Sequence, residues 1–258
     1  MPDHSGIHYS DQGNGFPVLL IHGFCETSEI WNSFSEKLST RFRVLSIDLP
    51  GFGGSEMLPE TFSLSDVAAK VLQWLNDLKI ETCMVIGHSL GGYVTLSMAE
   101  QQPEKIKAFG LFHSTAYADS EERKQSRNKV IEFVSAHGVA PFVESFIPPL
   151  FYNQTNPHIP NVVKLAGTTR KESLIAYVKA MRDRPDRTTV LRDFHGKILL
   201  LAGEMDSGIP LETVKKQALL SPHSVLKILP SVAHMGMFED EPTSLTVVNN
   251  FLIKNLDS

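Results

Sequence analysis

The chain has 258 residues, of which 42% are hydrophobic and 21% are charged, as is usual for a soluble globular protein with one large domain. Its 24 Lys and Arg residues against 29 Asp and Glu residues give a net charge of −5, which disfavours nucleic acid as a partner because phosphate binding needs a basic surface. Two cysteines exclude a disulfide framework and a site of four thiolates. The polar N-terminus carries no signal core and no stretch is apolar over about 18 residues, so we expect a cytoplasmic protein that does not enter a membrane.

Six short aliphatic runs predict strands that are buried on both faces of a parallel sheet, because they lack strict alternation of apolar and polar residues. In chain order, these runs span 18–21, 43–47, 83–87, 107–112, 197–203 and 224–229. Amphipathic segments of helix length lie between them, the first three covering 27–40, 63–78 and 90–102. The alternation predicts an α/β fold with a doubly wound, mostly parallel sheet.

More than eighty residues separate the fourth and fifth strands without another convincing strand. A structureless loop of this length is implausible in a compact domain, and amphipathic patterns within it predict helices. These patterns cover 121–137, 139–151 and 171–184. We therefore predict a core of residues 1–113 and 190–258, with a helical cap of residues 114–189 over one edge of the sheet.

Ser89 stands in the sequence GHSLG, directly after a predicted strand and before a predicted helix. This is the context of a nucleophile elbow, a strained turn that exposes the hydroxyl and needs glycines where side chains would collide. A serine nucleophile needs a base, and the base needs a carboxylate to orient it. Asp206 follows the fifth strand and His234 follows the last, so all three residues are expected at the carboxyl ends of strands, where open α/β sheets keep their sites. Asp48 also ends a strand but is the weaker candidate for the acid.

An oxyanion hole is predicted from the sequence HGF at 22–24, which ends the first strand, because Gly23 lets the backbone turn sharply. The amide N–H groups of Phe24 and Leu90 are then expected to point at the same place. The glycine-rich segment at 48–55 lacks the lysine and the spacing of a phosphate loop.

Five motifs, at 22–24, 48–55, 87–92, 203–206 and His234, together resemble those of the α/β-hydrolase superfamily in their order along the chain. The resemblance covers roughly residues 15–113 and 190–256. It implies a Ser–His–Asp hydrolase whose helical cap covers the active site and shapes substrate choice. The family usually begins with an antiparallel hairpin, which we expect here to be shortened, with residues 6–10 as its clearest remnant. The cap matches no substrate-specific pattern.

The remaining candidates have simpler interpretations. His22 and His88 are expected to make structural hydrogen bonds, and His113 either reaches the floor of the pocket or is a satisfied loop residue. A reactive thiol at Cys25 is disfavoured, because it would need its own base. The histidines lack metal-ligand spacing such as His-x-x-x-His, and nothing in the sequence indicates a metal or an organic cofactor.

The sequence predicts a cofactor-independent serine hydrolase, namely a carboxylesterase that acts on small to medium esters through an acyl-enzyme on Ser89. Its expected partner is a small-molecule substrate, and the choice between monomer and homodimer stays open. Apolar residues are expected to line the substrate pocket. The set is Trp31, Phe142, Phe146 and Met235, with Phe151 and Met237 as further candidates.

Two other functions stay open. The same residues could serve a carbon–carbon bond hydrolase or a pyruvate-eliminating lyase, which would need cations to bind substrate carboxylates. Arg123, Lys124, Arg127 and Arg170 of the cap are available for that purpose, although ion pairs on solvated helix faces explain them as well. A non-catalytic ligand receptor on a hydrolase scaffold is the third possibility.

Overall fold

A seven-stranded sheet forms the centre of the computed structural model, which describes residues 6–59 and 61–256. The strands are β1 (Tyr9–Gln12), β2 (Pro17–Ile21), β3 (Arg43–Ile47), β4 (Cys83–His88), β5 (Ile106–Phe112), β6 (Lys197–Gly203) and β7 (Ser224–Leu229). Their order across the sheet is β1-β3-β2-β4-β5-β6-β7, and all neighbours are parallel except β1 and β3. The predicted α/β fold with a mostly parallel sheet is therefore confirmed.

The six predicted strands are all present, and three of them have the predicted bounds. Strand β4 is buried along its whole length, which explains why its sequence is a continuous apolar run. The expectation of a shortened N-terminal hairpin with its remnant in residues 6–10 is met only in part. Residues 9 and 10 belong to the antiparallel strand β1, whereas residues 6–8 lie outside any strand. Within the part of the chain that the structure describes, β1 pairs with β3 and forms no hairpin with β2. The ring of Tyr9 in β1 packs edge-on against Trp74, at 5.0 Å between ring centroids.

The core contains α-helices between its strands and after β7. They are α1 (Asn32–Leu38), α2 (Leu64–Asp77), α3 (Leu90–Gln101), α9 (Leu211–Ala218), α10 (Gly236–Glu239) and α11 (Glu241–Lys254). A 3-10 turn at Ser28–Trp31 takes up the first part of the predicted helix at 27–40. Helix α2 begins behind a capping box, in which Ser63 accepts from the amide of Asp66 at 3.3 Å and Asp66 accepts from the amide of Ser63 at 2.8 Å.

Five helices lie between β5 and β6, in residues 114–189, which we name the cap segment. They are α4 (Glu121–His137), α5 (Val139–Phe146), α6 (Ile159–Ala166), α7 (Lys171–Arg182) and α8 (Thr188–Asp193), the last ending just beyond the segment. Helix α4 has the predicted bounds, whereas the short helices α6 and α8 were not predicted. The segment is anchored to the turn after β3, since Tyr177 and Ser173 donate to the carbonyls of Pro50 and Gly51 at 2.9 and 2.7 Å.

The two ends of the cap segment meet on the core. The amide of Arg187 donates to the carbonyl of Ala116 at 2.8 Å, and the Arg187 guanidinium binds Glu100 of α3 at 2.9 Å. Among the described residues, no helix combines the length and the apolar character that crossing a membrane requires.

Candidate active site

Ser89 occupies a strained turn between β4 and α3. Its φ of 49° and ψ of −110° place a non-glycine residue on the side of the backbone map that favours glycine. The turn is held from below, because the amide of Ser89 donates to the carbonyl of Phe112 at 2.9 Å. Gly91 is required, since a Cβ there would collide with the carbonyl oxygens of Ile21 and His22 at the end of β2. This is the geometry expected of a nucleophile elbow.

Asp206 and His234 lie on neighbouring loops after β6 and β7. The distance from Nδ1 of His234 to Oδ2 of Asp206 is 2.7 Å. The other oxygen of Asp206 accepts from the amides of Gly208 and Ile209 at 2.8 and 2.9 Å, so the carboxylate is held from both sides. With Nδ1 bound to Asp206, Nε2 is the nitrogen of His234 that remains for proton transfer.

The two groups shift each other's pKa in opposite directions. Burial raises the pKa of Asp206, but the charge of His234 and the hydrogen bond between them outweigh it and hold this pKa at about 2. Burial lowers the pKa of His234, and here the charge of Asp206 and the same hydrogen bond outweigh it, so the pKa is raised above its ordinary value of 6.5. Asp206 thus remains ionised and stabilises the imidazolium.

The backbone amides of Phe24 and Leu90 belong to two loops that meet at the turn of Ser89. Leu90 follows Ser89 directly, and a Cβ on Gly23, the residue before Phe24, would lie 2.7 Å from Nδ1 of His88. Leu90 begins α3, and the first amides of a helix have no acceptor within it. In the described part of the chain, neither the amide of Leu90 nor that of Phe24 donates a hydrogen bond to another residue. The close packing of Gly91 on the end of β2 brings the two loops together. Two unpaired donors beside a serine are what an oxyanion hole requires.

A buried pair, Glu26 and His88, links the loops around this site. Oε2 of Glu26 accepts from the amide of Gly23 at 2.5 Å and lies 2.9 Å from Nδ1 of His88. Nε2 of His88 lies 3.0 Å from the carbonyl oxygen of His234. Both side chains are 2% exposed or less, so water does not compensate them. The pair therefore joins the loop after β2, the turn at Ser89 and the loop of His234.

The hydrogen-bond geometry fixes how many protons the pair holds. Nε2 of His88 faces a carbonyl and must donate to it, while Nδ1 faces a carboxylate oxygen that already accepts from Gly23. A second proton must therefore lie between His88 and Glu26, and the pair is neutral as a whole. Burial alone would raise the pKa of Glu26, but the charge of His88 and the hydrogen bond between the two residues lower it.

The role of Glu26 was missed at the sequence level. The only signal was an acidic residue inside an otherwise apolar motif after β2. His88 and His22 make structural hydrogen bonds, as we expected. Nε2 of His22 accepts from the amide of Leu49 at 2.9 Å, Nδ1 lies 2.7 Å from the carbonyl of Gly23, and burial lowers its pKa.

His113 lies inside the core beside Asp206. Burial lowers its pKa well below the ordinary value, so the imidazole is neutral, and Nδ1 accepts from the amide of Gly203 at 3.1 Å. Its 3.6 Å approach to Asp206 is therefore not an ion pair. Since His113 is fully buried, it does not form the floor of an open pocket.

The other two weak candidates have structural roles. Cys25 is buried, and burial raises the pKa of its thiol far above the ordinary value, which leaves no reactive thiolate. Asp48 accepts from the amides of Ser28 and Gly54 at 2.8 and 2.9 Å and thereby holds two loops together.

The predicted pocket residues are brought together only in part. The rings of Phe142 and Phe146 stack at 5.0 Å and lie 6.4 and 5.9 Å from the ring of Phe24. Trp31 is fully buried, because its ring packs edge-on against the core residues Phe34 and Phe112. The side chains of Phe151, Met235 and Met237 are also buried in the core.

Asp119, just before α4, is surrounded by three guanidinium groups. Its carboxylate lies 2.8 Å from Arg184, 3.1 Å from Arg127 and 3.7 Å from Arg123. Lys124, by contrast, pairs with its helical neighbour Glu121. Within residues 6–59 and 61–256, no group of three or more His, Cys, Asp or Glu side chains could hold a metal ion.

Comparison with known proteins matches residues 17–241 to the model of the alpha/beta hydrolase fold family. The chain belongs to the alpha/beta hydrolase fold family. A malate-bound thermophilic esterase from Thermogutta terrifontis has the same fold, with a TM-score of 0.91 and 28% identity over 96% of this chain and 93% of that one. These likenesses establish the family and the fold.

Two curated relatives within this family are hydrolases by name. The 2-hydroxy-6-oxononadienedioate/2-hydroxy-6-oxononatrienedioate hydrolase 1 of Pseudomonas putida is 24% identical over 95% of this chain and 91% of its own length. The (E)-2-((N-methylformamido)methylene)succinate hydrolase of Acinetobacter baylyi is 30% identical over 41% of this chain and 40% of its own length. The chain spans less than two thirds of the first curated relatives it matches, 60% and 40% of their lengths.

Proposed function

We propose that the protein is a cofactor-independent carboxylesterase that forms an acyl-enzyme on Ser89. The observation that carries this proposal is the 2.7 Å bond between His234 and Asp206, on loops beside a serine with a strained backbone. The esterase likeness of the Thermogutta structure supports the choice of an ester. The paired rings of Phe142 and Phe146 beside Phe24 support an apolar acyl group of small to medium size.

The reaction follows from the positions of these groups. Nε2 of His234 takes the proton of Ser89 as its oxygen attacks the ester carbonyl, and Asp206 stabilises the imidazolium. The amides of Phe24 and Leu90 bind the oxyanion, each donor contributing about 3 kcal/mol to transition-state stabilisation. The tetrahedral intermediate then collapses, and His234 returns its proton to the leaving alcohol. Water, activated by His234, attacks the acyl-enzyme and releases the acid and Ser89.

Replacement of the nucleophile tests the proposal. We expect Ser89→Ala to abolish both the burst of p-nitrophenol from p-nitrophenyl butyrate and covalent labelling by a fluorophosphonate. Ser135→Ala, an exposed change on α4, is the matched control and should retain both signals. Undiminished turnover by Ser89→Ala would refute the assignment. If the wild-type protein takes up no label and cleaves no ester, the proposal fails in favour of a ligand receptor.

A second candidate is carbon–carbon bond cleavage, or elimination of pyruvate, by the same three residues. The three guanidinium groups at Asp119 favour it, as do the dioate and succinate substrates in the names of the two curated relatives. A panel of simple esters, lactones and vinylogous 1,5-diketone acids separates the two, since only one class should give a high kcat/KM. We also propose a cytoplasmic location, which cell fractionation would test.

A further inference from the structure

A cleft with an excess of cations lies beside the proposed triad. It has a volume of about 370 Å³ and opens between the start of α4 and the loop that leads into α9. Arg123, Arg184 and Lys216 line it, against a single carboxylate, Asp119. A neighbouring cavity of about 380 Å³ shares Arg123 and adds Arg127 and Glu122. Because the whole chain carries −5, this excess of positive charge is a local property.

The cations in the cleft are not fully neutralised by the protein. The Asp119 side chain is 1% exposed and carries one negative charge among three guanidinium groups. Arg184 is fixed, because it donates to the carbonyls of Met181 and Tyr117 at 2.8 and 3.0 Å and stacks on Tyr93 at 4.0 Å. The two cavities together are lined by Arg123, Arg127, Arg184 and Lys216 against Asp119 and Glu122, so two positive charges remain in excess.

Arg123 is the arginine best placed to bind a ligand. Its distance to Asp119, 3.7 Å, is the longest of the three, and its side chain is 44% exposed. Arg127 is only 16% exposed and lies closer to the carboxylate. A guanidinium with unused donors at the edge of a cleft is suited to a planar carboxylate, which it can bind through two parallel hydrogen bonds.

The cleft borders the loop that follows Asp206 and the first turn of α3. Gly208, whose amide holds Asp206, is part of its wall, and a methyl group at Gly208 would be 3.6 Å from Nδ1 of His234. Tyr93, also in the wall, lies one helical turn after Ser89. The charge of Arg123 lowers the pKa of His234, whereas the charge of Asp206 raises it and has the larger effect. The cleft therefore adjoins the loop that carries Asp206 and the helix that begins directly after Ser89.

We propose that the cleft is a carboxylate-binding subsite and that Arg123 makes the protein selective for esters that carry a second, ionised carboxyl group. This inference rests on the proposed esterase function and names its substrate class. The positive ends of Arg123 and Lys216 bind the free carboxylate, while the ester carbonyl lies at Ser89. Nothing in this arrangement requires a covalent step beyond ester hydrolysis.

Matched pairs of substrates test the subsite. One pair places the charge on the acyl side, methyl hydrogen glutarate against methyl 4-carbamoylbutanoate, and the other on the alcohol side, 3-(butanoyloxy)propanoate against 3-(butanoyloxy)propanamide. Each pair replaces a carboxylate by a neutral amide of the same shape. Because a hydrogen bond to a charged group is worth more than a neutral one, we expect wild-type kcat/KM to favour the carboxylate in at least one pair, by about tenfold.

Arg123→Gln should remove the preference for the carboxylate. The control is Lys124→Gln, which removes the same charge one residue away and outside the cleft and should keep the preference. Added NaCl should weaken the preference of the wild type by screening. Equal effects of Arg123→Gln on both members of each pair, or no wild-type preference in either pair, would overturn the subsite.

The subsite and the esterase proposal fail in different ways. If the neutral amide esters are hydrolysed but show no charge preference, only the subsite is wrong. If no ester is hydrolysed, the esterase proposal is wrong. Binding of glutarate to Ser89→Ala, followed by calorimetry, still tests the subsite in that case. Tighter binding to Ser89→Ala than to Ser89→Ala with Arg123→Gln supports it, and equal or undetectable binding refutes it.

Discussion

Two buried carboxylates, Glu26 and Asp119, are paired with basic side chains in contrasting ways. Glu26 has one basic partner, His88, besides the amide of Gly23, and both side chains of the pair are 2% exposed or less. Asp119 has three guanidinium partners, and the cluster opens into a cleft. The first arrangement balances its charges and the second does not. We infer that a balanced pair fixes the position of loops, whereas an unbalanced one retains charge for a ligand.

The largest effect is expected at a third carboxylate, Asp206, which lies 2.7 Å from Nδ1 of the proposed base His234. Asp206→Asn should lower kcat for ester hydrolysis by about 10⁴-fold, because the imidazole is held in the wrong tautomer. It should also move the acid limb of the pH profile. His234 must be neutral to accept a proton, and its raised pKa places the wild-type limb above pH 6.5.

The direction of that shift follows from the causes of the raised pKa. Burial, which lowers the pKa of His234, remains in Asp206→Asn, while the charge and the hydrogen bond that raise it are removed or weakened. The limb of kcat/KM should therefore move to lower pH. Residual activity of the variant, measured between pH 5 and 9, checks this, and a limb at unchanged or higher pH would contradict the Asp206–His234 assignment.

The next largest effect is expected on stability, when the pair of Glu26 and His88 is broken. Glu26→Ala leaves a buried histidine without its counter-charge, which we expect to cost about 3–5 kcal/mol of the free energy of unfolding. Glu26→Gln should be intermediate, because its amide oxygen can still accept from both Gly23 and His88 but carries no negative charge to match the second proton of the pair. Urea unfolding measures both, with the exposed Glu29→Gln as the control.

Replacement of Asp119 tests whether its cluster, unlike the pair of Glu26 and His88, is open to an anion. Asp119→Asn should destabilise the protein by about 1–3 kcal/mol, because three guanidinium groups then repel one another around an unpaired site. Added succinate should restore part of the melting temperature, since the cleft admits an anion. The same anion should not rescue Glu26→Ala, whose site is closed. Rescue of both variants, or of neither, would remove the distinction between the clusters.

The smallest effect is expected from the exposed arginine. Arg123→Gln should change the free energy of unfolding by less than about 1 kcal/mol, because partly exposed ion pairs contribute little. The measured value decides whether Arg123 is retained for folding or is free to bind a ligand. A loss of unfolding free energy as large as that in Asp119→Asn would mean that Arg123 is a structural partner of Asp119 and is not free to bind a ligand.

Much of the core was predictable because its signals are local in sequence. A strand buried on both faces is a short aliphatic run, so the bounds of β3, β6 and β7 agreed with the structure. Asp206 and His234 were predicted as site residues because each lies in the loop after such a strand. The position of Ser89 came from the glycines around it, which the tight turn requires.

The rest depends on contacts between distant parts of the chain. Glu26 and His88 are 62 positions apart, and only the folded sheet brings their loops together. Arg184 reaches Asp119 from beyond α7, so the charge excess of the cleft was not visible from α4 alone. Trp31 was expected in the substrate pocket because aromatic residues suit both a pocket and a core, and its burial was decided by Phe34 and Phe112.

The meeting of the two ends of the cap segment at Ala116 and Arg187 makes this segment modular. A stretch that leaves and rejoins the core at adjacent points can be lengthened, shortened or replaced without changing the register of β5 and β6. A different segment can therefore be grafted between these two residues while the strands that precede Ser89 and Asp206 stay as they are.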